Sequence, residues 1–169
     1  MREINQAGID LIKSFEGIED GDPTTVNLDP YLDPVGIWTI GWGHAIVKDG
    51  RFLKGAFAAK VAKMLYPNGI TREQAERLLR EDVEKHARAL DALVTVELTD
   101  NQYAALASFV FNLGPENLRR SALLRFVNEK RFEQAASEFK RWNKAGGKVL
   151  PGLVRRRAAE AELFRRVNS

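Results

Sequence analysis

The chain carries no cysteine and only two histidines, His44 and His86. Thiolate catalysis and Cys-ligated zinc are therefore excluded, and neither histidine has a partner at metal-ligand spacing. No Gly-x-Ser-x-Gly elbow, phosphate-binding loop or dinucleotide fingerprint occurs, so no cofactor is expected. Carboxylate chemistry remains. Glu16 closes an amphipathic run beside Phe15, and Asp33 and Thr39 stand in a stretch rich in glycine and tryptophan that ends at His44. A carboxyl half-buried where two lobes meet is poorly hydrated in its charged form and can serve as a general acid. A second, better solvated carboxylate across a cleft completes the set that glycoside hydrolysis needs. Residue type and spacing also allow a plainer reading. Glu16 is then a solvated helix end, Asp33 a turn residue, Thr39 an ordinary strand residue, and Gly41-Trp42-Gly43-His44 a tight turn with a packed Trp and a hydrogen-bonded His.

The elements that must position these residues follow from apolar periodicity. Ile4, Ala7, Leu11, Ile12 and Phe15 recur at helical spacing, which predicts a first helix over 3–16. Turn formers then accumulate, and β-branched and aromatic residues stand between glycines from Val35 to Gly43, so a β-rich lobe is expected over about 17–69, with a short helix at 57–65. Beyond Ile70 the pattern is helical. Thr71 with Gln74 and Thr99 with Gln102 have capping-box spacing, opening helices over 72–92 and 100–112. Asn112-Leu113-Gly114-Pro115 reads as a stop, and further helices are expected at 122–128, 131–142 and 152–166. The reading is a single mostly helical α+β domain over 1–169, its small β lobe and its helical lobe (about 70–169) bounding a cleft.

At 169 residues and 44% hydrophobic content the chain can bury a core without metal or disulfide. Its net charge of +3 hides an asymmetry: residues 1–118 carry 12 basic and 18 acidic side chains, the remainder 14 and 5. A basic end suits an anionic partner, whether nucleic acid, an acidic membrane surface or a wall polymer, although basic helix faces are commonly just solvated. No run approaches the ~20 apolar residues of a membrane span. The segment Met1-Arg2-Glu3-Ile4-Asn5-Gln6 lacks the apolar core of a signal peptide, so synthesis in a host cytoplasm without self-export is expected.

The stretch Tyr31-Leu32-Asp33-Pro34-Val35-Gly36-Ile37-Trp38-Thr39-Ile40-Gly41-Trp42-Gly43-His44, preceded by Ser14-Phe15-Glu16-Gly17, resembles the signature of the phage-type lysozymes, a glycoside hydrolase family that includes phage endolysins. Leu98 to Leu106 running into Phe109-Val110-Phe111-Asn112-Leu113-Gly114 is similar to that family's central helix. Ser121-Ala122-Leu123-Leu124 and Trp142 resemble its next segments, and Gly152 to Glu160 its last helix. The resemblance implies a lysozyme-like fold and cleavage of the β-1,4 bond between N-acetylmuramic acid and N-acetylglucosamine in peptidoglycan. It places the catalytic set on Glu16, Asp33 and Thr39. Glu16 would protonate the departing oxygen, and Asp33, helped by Thr39, would activate water on the opposite face. That inverting arrangement requires carboxyl groups roughly 6.5–9.5 Å apart. Tyr31, Gly43, His44, Phe111 and Asn112 are the implied substrate contacts, against core packing for Phe111 and a structural hydrogen bond for His44.

One departure is evident. Sixteen residues separate Glu16 from Asp33, more than the family usually has, so an insertion is expected within 17–30. Asp20, Asp22 and Asp29 are rivals for the second carboxylate but do not match the motif. Val47 to Gly69 is also longer than in many relatives and would extend or cover the cleft. Arg155, Arg156 and Arg157 read first as a solvated basic face; otherwise one pairs with Glu16, or they draw the protein to anionic envelope components. The implied partners are peptidoglycan and a holin that gives access to it, with a monomer as default and no nucleic acid, since no reader motif occurs. The alternatives are a lytic transglycosylase on the same scaffold and a non-catalytic wall-binding or tail component.

Overall fold

The computed structural model describes residues 2–167 and divides into two compact units. One holds the chain up to Phe15 and from Val83 onward; the other is Glu16–Asp82.

The first unit is helical. Helix α1 (Gln6–Phe15) buries Gly8, Ile9 and Ile12. Gly8 lets α1 approach α5 (Asp100–Leu113) almost backbone to backbone, for a Cβ there would stand 2.7 Å from the Ala104 Cβ. Helix α5 starts where expected because Thr99 accepts the Gln102 N–H and Gln102 accepts the Thr99 N–H, each at 3.0 Å. It is buried from Tyr103 to Val110, its alanines making room for α1 and for α9 (Pro151–Arg165). Phe109 anchors the core, edge-on to Phe139 and Trp142 with centroids 5.9 and 5.5 Å away.

Several boundaries differ from those read in the sequence. The first helix is Gln6–Phe15, starting three residues later and ending one residue earlier than the expected 3–16. The run 72–92 is two helices, α3 (Arg72–Ala87) and α4 (Ala89–Leu93), because the Asp91 N–H reaches the Arg88 carbonyl three residues back (3.1 Å) and tightens the turn. The stop at Gly114-Pro115 is also a start. Gly114 caps α5, its N–H on the Val110 carbonyl at 2.8 Å, and Pro115 opens α6 (Pro115–Arg119) at the position where its missing N–H has no helical partner to lose. After α7 (Ala122–Asn128), the run 131–142 becomes α8 (Phe132–Glu138) and a 3-10 turn (Phe139–Arg141). A small hairpin, β6 (Lys144–Ala145) with β7 (Lys148–Val149), turns through Gly146-Gly147.

The second unit is built on an antiparallel sheet of β1 (Tyr31–Leu32), β2 (Trp38–Ile40) and β3 (His44–Ala45), with Tyr31 opposite Thr39 and Ile40 opposite His44. A hairpin follows, β4 (Val47–Lys48) with β5 (Arg51–Phe52), turned by Asp49-Gly50 with both residues at positive φ as a two-residue hairpin loop requires. A 3-10 turn (Ala56–Ala58) then leads into α2 (Ala59–Leu65). The 17–30 segment is tied down by Leu28, which exchanges two 2.8 Å backbone hydrogen bonds with Ile70. Thr71 and Gln74 cap α3 reciprocally, at 3.1 and 2.9 Å.

Candidate functional site

Glu16, Asp33 and Thr39 all belong to the second unit. Glu16 is the first residue beyond α1 and is half-buried. Asp33 leads the turn from β1 to β2. Its Oδ1 accepts the N–H of Val35 (3.0 Å) and of Ile37 (2.8 Å), and its own N–H and carbonyl bond Ile37 and Gly36. The turn closes only because Gly36 takes a φ of 88°, which an L side chain resists. Oδ1 thus orients the carboxylate, and Oδ2 makes no hydrogen bond among the described residues. Thr39 is buried opposite Tyr31, its hydroxyl donating to the Ile37 carbonyl at 3.0 Å, which leaves the oxygen lone pairs to accept.

Tyr31 lies within electrostatic reach of both carboxylates. Its hydroxyl donates to the Gly41 carbonyl at 3.3 Å. Burial first, then the negative charge of Glu19, Asp33 and Glu16, pushes the phenol above its ordinary range, against a backbone hydrogen bond at Gly43 that lowers it. Both candidate catalytic carboxylates are therefore within electrostatic reach of one ring. Glu19, which pairs with Gly41 in an isolated bridge, joins them as a third, absent from the motif-based reading because it lies in the insertion.

Gly43 stands at a φ of 73° in the turn from β2 to β3. His44 follows it and puts Nδ1 2.8 Å from Asp82 Oδ2 on α3. That partner, 38 residues away, had no signal in the sequence. The rival aspartates are engaged in their own loop: Asp20 Oδ1 accepts the N–H of Asp22 and of Asp29, each at 3.0 Å. Asp22 Oδ1 accepts the Thr24 N–H (3.1 Å) and hydroxyl (2.5 Å), and Asp29 Oδ2 accepts the Thr25 hydroxyl. The hydrogen bonds from Thr24 hold the Asp22 carboxyl below its ordinary range.

Phe111 and Asn112 lie in the first unit, at the end of α5, with their side chains engaged there. Phe111 packs edge-on with His86 at 5.2 Å, and Asn112 Oδ1 accepts from Arg157 Nη2 at 2.7 Å. The reading of Arg155 to Arg157 as a solvated face holds only for Arg155. Arg156 and Arg157 are buried, because α9 turns that side inward onto Glu160. Arg157 Nε lies 2.7 Å from Glu160 Oε1, out of line for a hydrogen bond, while Nη2 donates to Oε2 at 3.2 Å. Arg156 Nε is 3.5 Å from Oε2, and the Ser108 hydroxyl donates to the same oxygen. Burial pushes the Glu160 carboxyl up, against the pull of Arg157, the Ser108 hydroxyl and Arg156. Among the described residues no group of three His, Cys, Asp or Glu side chains is arranged to hold a metal ion.

The phage lysozyme family model matches residues 13–160. The chain is 40% identical to the endolysin of Bacillus phage B103 over 95% of its own length and 53% of that protein's, so it spans about half the length of that relative and of the Bacillus phage PZA endolysin. It is 36% identical to the endolysin of Salmonella phage P22, with 97% of this chain and 99% of the other covered. Among solved structures it superposes on the muramidase domain of SpmX from Asticaccaulis excentricus with a TM-score of 0.72 at 35% identity, covering 99% and 100% of the two chains. A point mutant of P22 lysozyme gives 0.75 at 34%, covering 97% and 99%. On the matched span, the lysozyme-like α+β fold and these relatives, the chain belongs to the phage lysozyme family.

Proposed function

We propose that the chain is an endolysin muramidase that hydrolyses the β-1,4 bond between N-acetylmuramic acid and N-acetylglucosamine in bacterial peptidoglycan by an inverting acid/base mechanism, for host cell lysis. The observation that carries the reading is the Asp33 turn inside a family match over residues 13–160: Oδ1 is fixed by two backbone N–H groups and Oδ2 is turned free. Glu16, at the end of α1, donates a proton to the departing glycosidic oxygen. Asp33 Oδ2 takes a proton from water, and the Thr39 oxygen, its hydrogen committed to Ile37, accepts the other. The engagement of Asp20, Asp22 and Asp29 in their own loop supports Asp33 as the second carboxylate. Tyr31, Gly43 and His44, in the unit that carries the two carboxylates, border the reacting bond, and Phe111 and Asn112 are kept as substrate contacts on the family resemblance alone. The family match reaches into both units, which supports a single functional domain. In this reading the protein is made in the host cytoplasm, acts as a monomer without metal or cofactor, and reaches the wall through a membrane lesion made by a holin. No helix of the described residues is long and apolar enough to cross a membrane.

The test is mass spectrometry of the sugar ends formed from purified peptidoglycan. Wild type leaves reducing muramic acid ends, while Glu16→Gln and Asp33→Asn, both folded, lose about 100-fold or more in rate. Anhydro ends would make the protein a lytic transglycosylase. Absence of cleavage by wild type would move it to a wall-binding or tail role, and unimpaired Asp33→Asn would remove Asp33 from the mechanism.

A further inference from the structure

In the basic C-terminal third, the natural candidate for an anionic contact, several cations are held by nearby acids. Arg119 pairs with Glu116, Arg141 with Glu138, Arg165 with Glu133 and Arg166 with Glu162. A different segment, hidden by the net acidity of residues 1–118, keeps its cations exposed. Residues 47–65 carry five Lys or Arg and one Asp. Lys48 lies near that Asp, Asp49, at 3.8 Å, while Arg51, Lys54, Lys60 and Lys63 make no ion pair among the described residues, although the Lys63 charge reaches Asp22.

The same segment holds large apolar side chains in water. Phe57 is 91% exposed and Met64 77%, and Val47, Phe52 and Leu65 are exposed with them. They fall in two groups, one on the β4–β5 hairpin and one on the 3-10 turn and α2. Val47 and Phe52 face each other across the β4–β5 hairpin. Phe52 shares with Arg51, Lys54 and Gly50 a shallow cavity of about 360 Å³. On α2, Lys60 stands one turn from Met64 and shares a helix face with Lys63. The platform is anchored: the Trp38 indole donates to the Gly55 carbonyl at 2.8 Å and the Trp38 N–H to the Leu53 carbonyl at 2.8 Å. Aromatic and aliphatic side chains standing in water among unpaired cations are the composition of an interfacial membrane contact.

We propose that residues 47–65 form a docking surface for an anionic phospholipid bilayer, with Phe57, Met64 and the Val47–Phe52 pair entering the headgroup boundary and Arg51, Lys54, Lys60 and Lys63 engaging lipid phosphates. The apolar members decide between hosts. A phosphate-bearing wall polymer would satisfy the cations but offers nothing to bury Phe57 or Met64, whereas acyl chains do. The proposal does not rest on the muramidase reading.

The experiment is flotation of the full chain with vesicles of equimolar phosphatidylglycerol and phosphatidylcholine, and with phosphatidylcholine alone. Binding is expected to the first and not the second, and to fall steeply between about 0.1 M and about 1 M salt. Lys60→Gln/Lys63→Gln weakens it about 25-fold, at about fivefold per cation near an anionic surface, and Phe57→Ser/Met64→Ser at least about tenfold. Arg165→Gln/Arg166→Gln stays within about twofold of wild type, since those cations are already paired. All variants keep wild-type melting and wild-type digestion of lipid-free peptidoglycan, because these side chains are exposed and outside the candidate site. The proposal is overturned if wild type ignores phosphatidylglycerol vesicles while binding a soluble polyphosphate. It is equally overturned if Phe57→Ser/Met64→Ser binds the vesicles as wild type does, if the Arg165/Arg166 variant is the one that loses binding, or if the patch variants lose digestion of lipid-free wall.

Discussion

Removing the charge of Glu160 tests how the helical unit holds the end of α5. The Glu160 and Arg157 side chains are 0% exposed and that of Arg156 is 4% exposed, so the Arg157–Glu160 pair lies out of reach of water with Arg156 beside it. Glu160→Ala would leave Arg157 with the Asn112 amide oxygen and the Trp142 carbonyl as hydrogen-bond acceptors around a buried cation that has lost its carboxylate. Breaking a buried pair in this way costs about 3–5 kcal/mol. A chain of 169 residues has an unfolding entropy of about 0.35 kcal/mol/K, so the melting temperature should fall by about 8–14 °C in a calorimetric scan. Glu160→Gln is the sharper variant, because it keeps the size and the contact with Ser108 and removes only the charge. It should lose most of that stability, while Arg157→Met/Glu160→Leu, which removes charges of both signs, should recover part of it. If Glu160→Gln melts within about 2 °C of wild type, position 160 carries no charge that matters, and the ionic account of the cluster is wrong.

Other outcomes follow from burial and close approach. The three tyrosines, Tyr31, Tyr66 and Tyr103, are each pushed up by burial, with Glu19, Asp82 and Asp91 respectively the first carboxylates adding to it. The fold favours the neutral phenol, so this stability is complete below about pH 10 and is lost as pH rises through the folded-state values. The tyrosinate absorbance of the native protein should titrate above that of the chain in denaturant, and coincident curves would refute the burial argument. Gly8→Ala gains about 1 kcal/mol of helix propensity, yet its Cβ would meet the Ala104 Cβ at 2.7 Å and the Ile4 Cγ2 at 2.8 Å. Net destabilisation of about 1–2 kcal/mol is expected in urea, relieved by Ala104→Gly, and a raised midpoint would show that α1 and α5 have room to spare.

Local signals carried the elements they act on. The capping pairs at Thr71 and Thr99 place α3 and α5 because both partners lie within one turn. The apolar spacing of α1 ends within one residue of Glu16, and Asp33-Pro34-Val35-Gly36 marks the turn that Asp33 goes on to hold. Contacts between distant residues stayed hidden. Nothing near His44 points to Asp82, and the run of arginines at 155–157 looks uniformly solvated until α9 turns two of them onto Glu160 and Ser108. Short elements escaped for another reason: α6 and the β6–β7 hairpin are too brief to show a period, and Pro115 ends one helix and begins the next with the same residue. Glu19 entered the neighbourhood of Tyr31 only through the pairing of its backbone with Gly41.

The loop between Glu16 and Asp33 closes its own mouth. The Gly21 N–H reaches the Asp29 carbonyl at 3.1 Å, and Asp20 binds the Asp29 N–H across the same gap. Asp22, Thr24 and Thr25 organise the tip, Thr25 also bonding Asp29, and Asn27 ties it to the Asn68 carbonyl at 2.9 Å, while Val26 stands wholly in solvent. A segment spliced in at Val26 would leave and re-enter through that latched neck, adding length without pulling on β1. The protein thus contains a natural port, where an epitope, a second binding module or a targeting peptide can be carried without redesigning the scaffold beneath it.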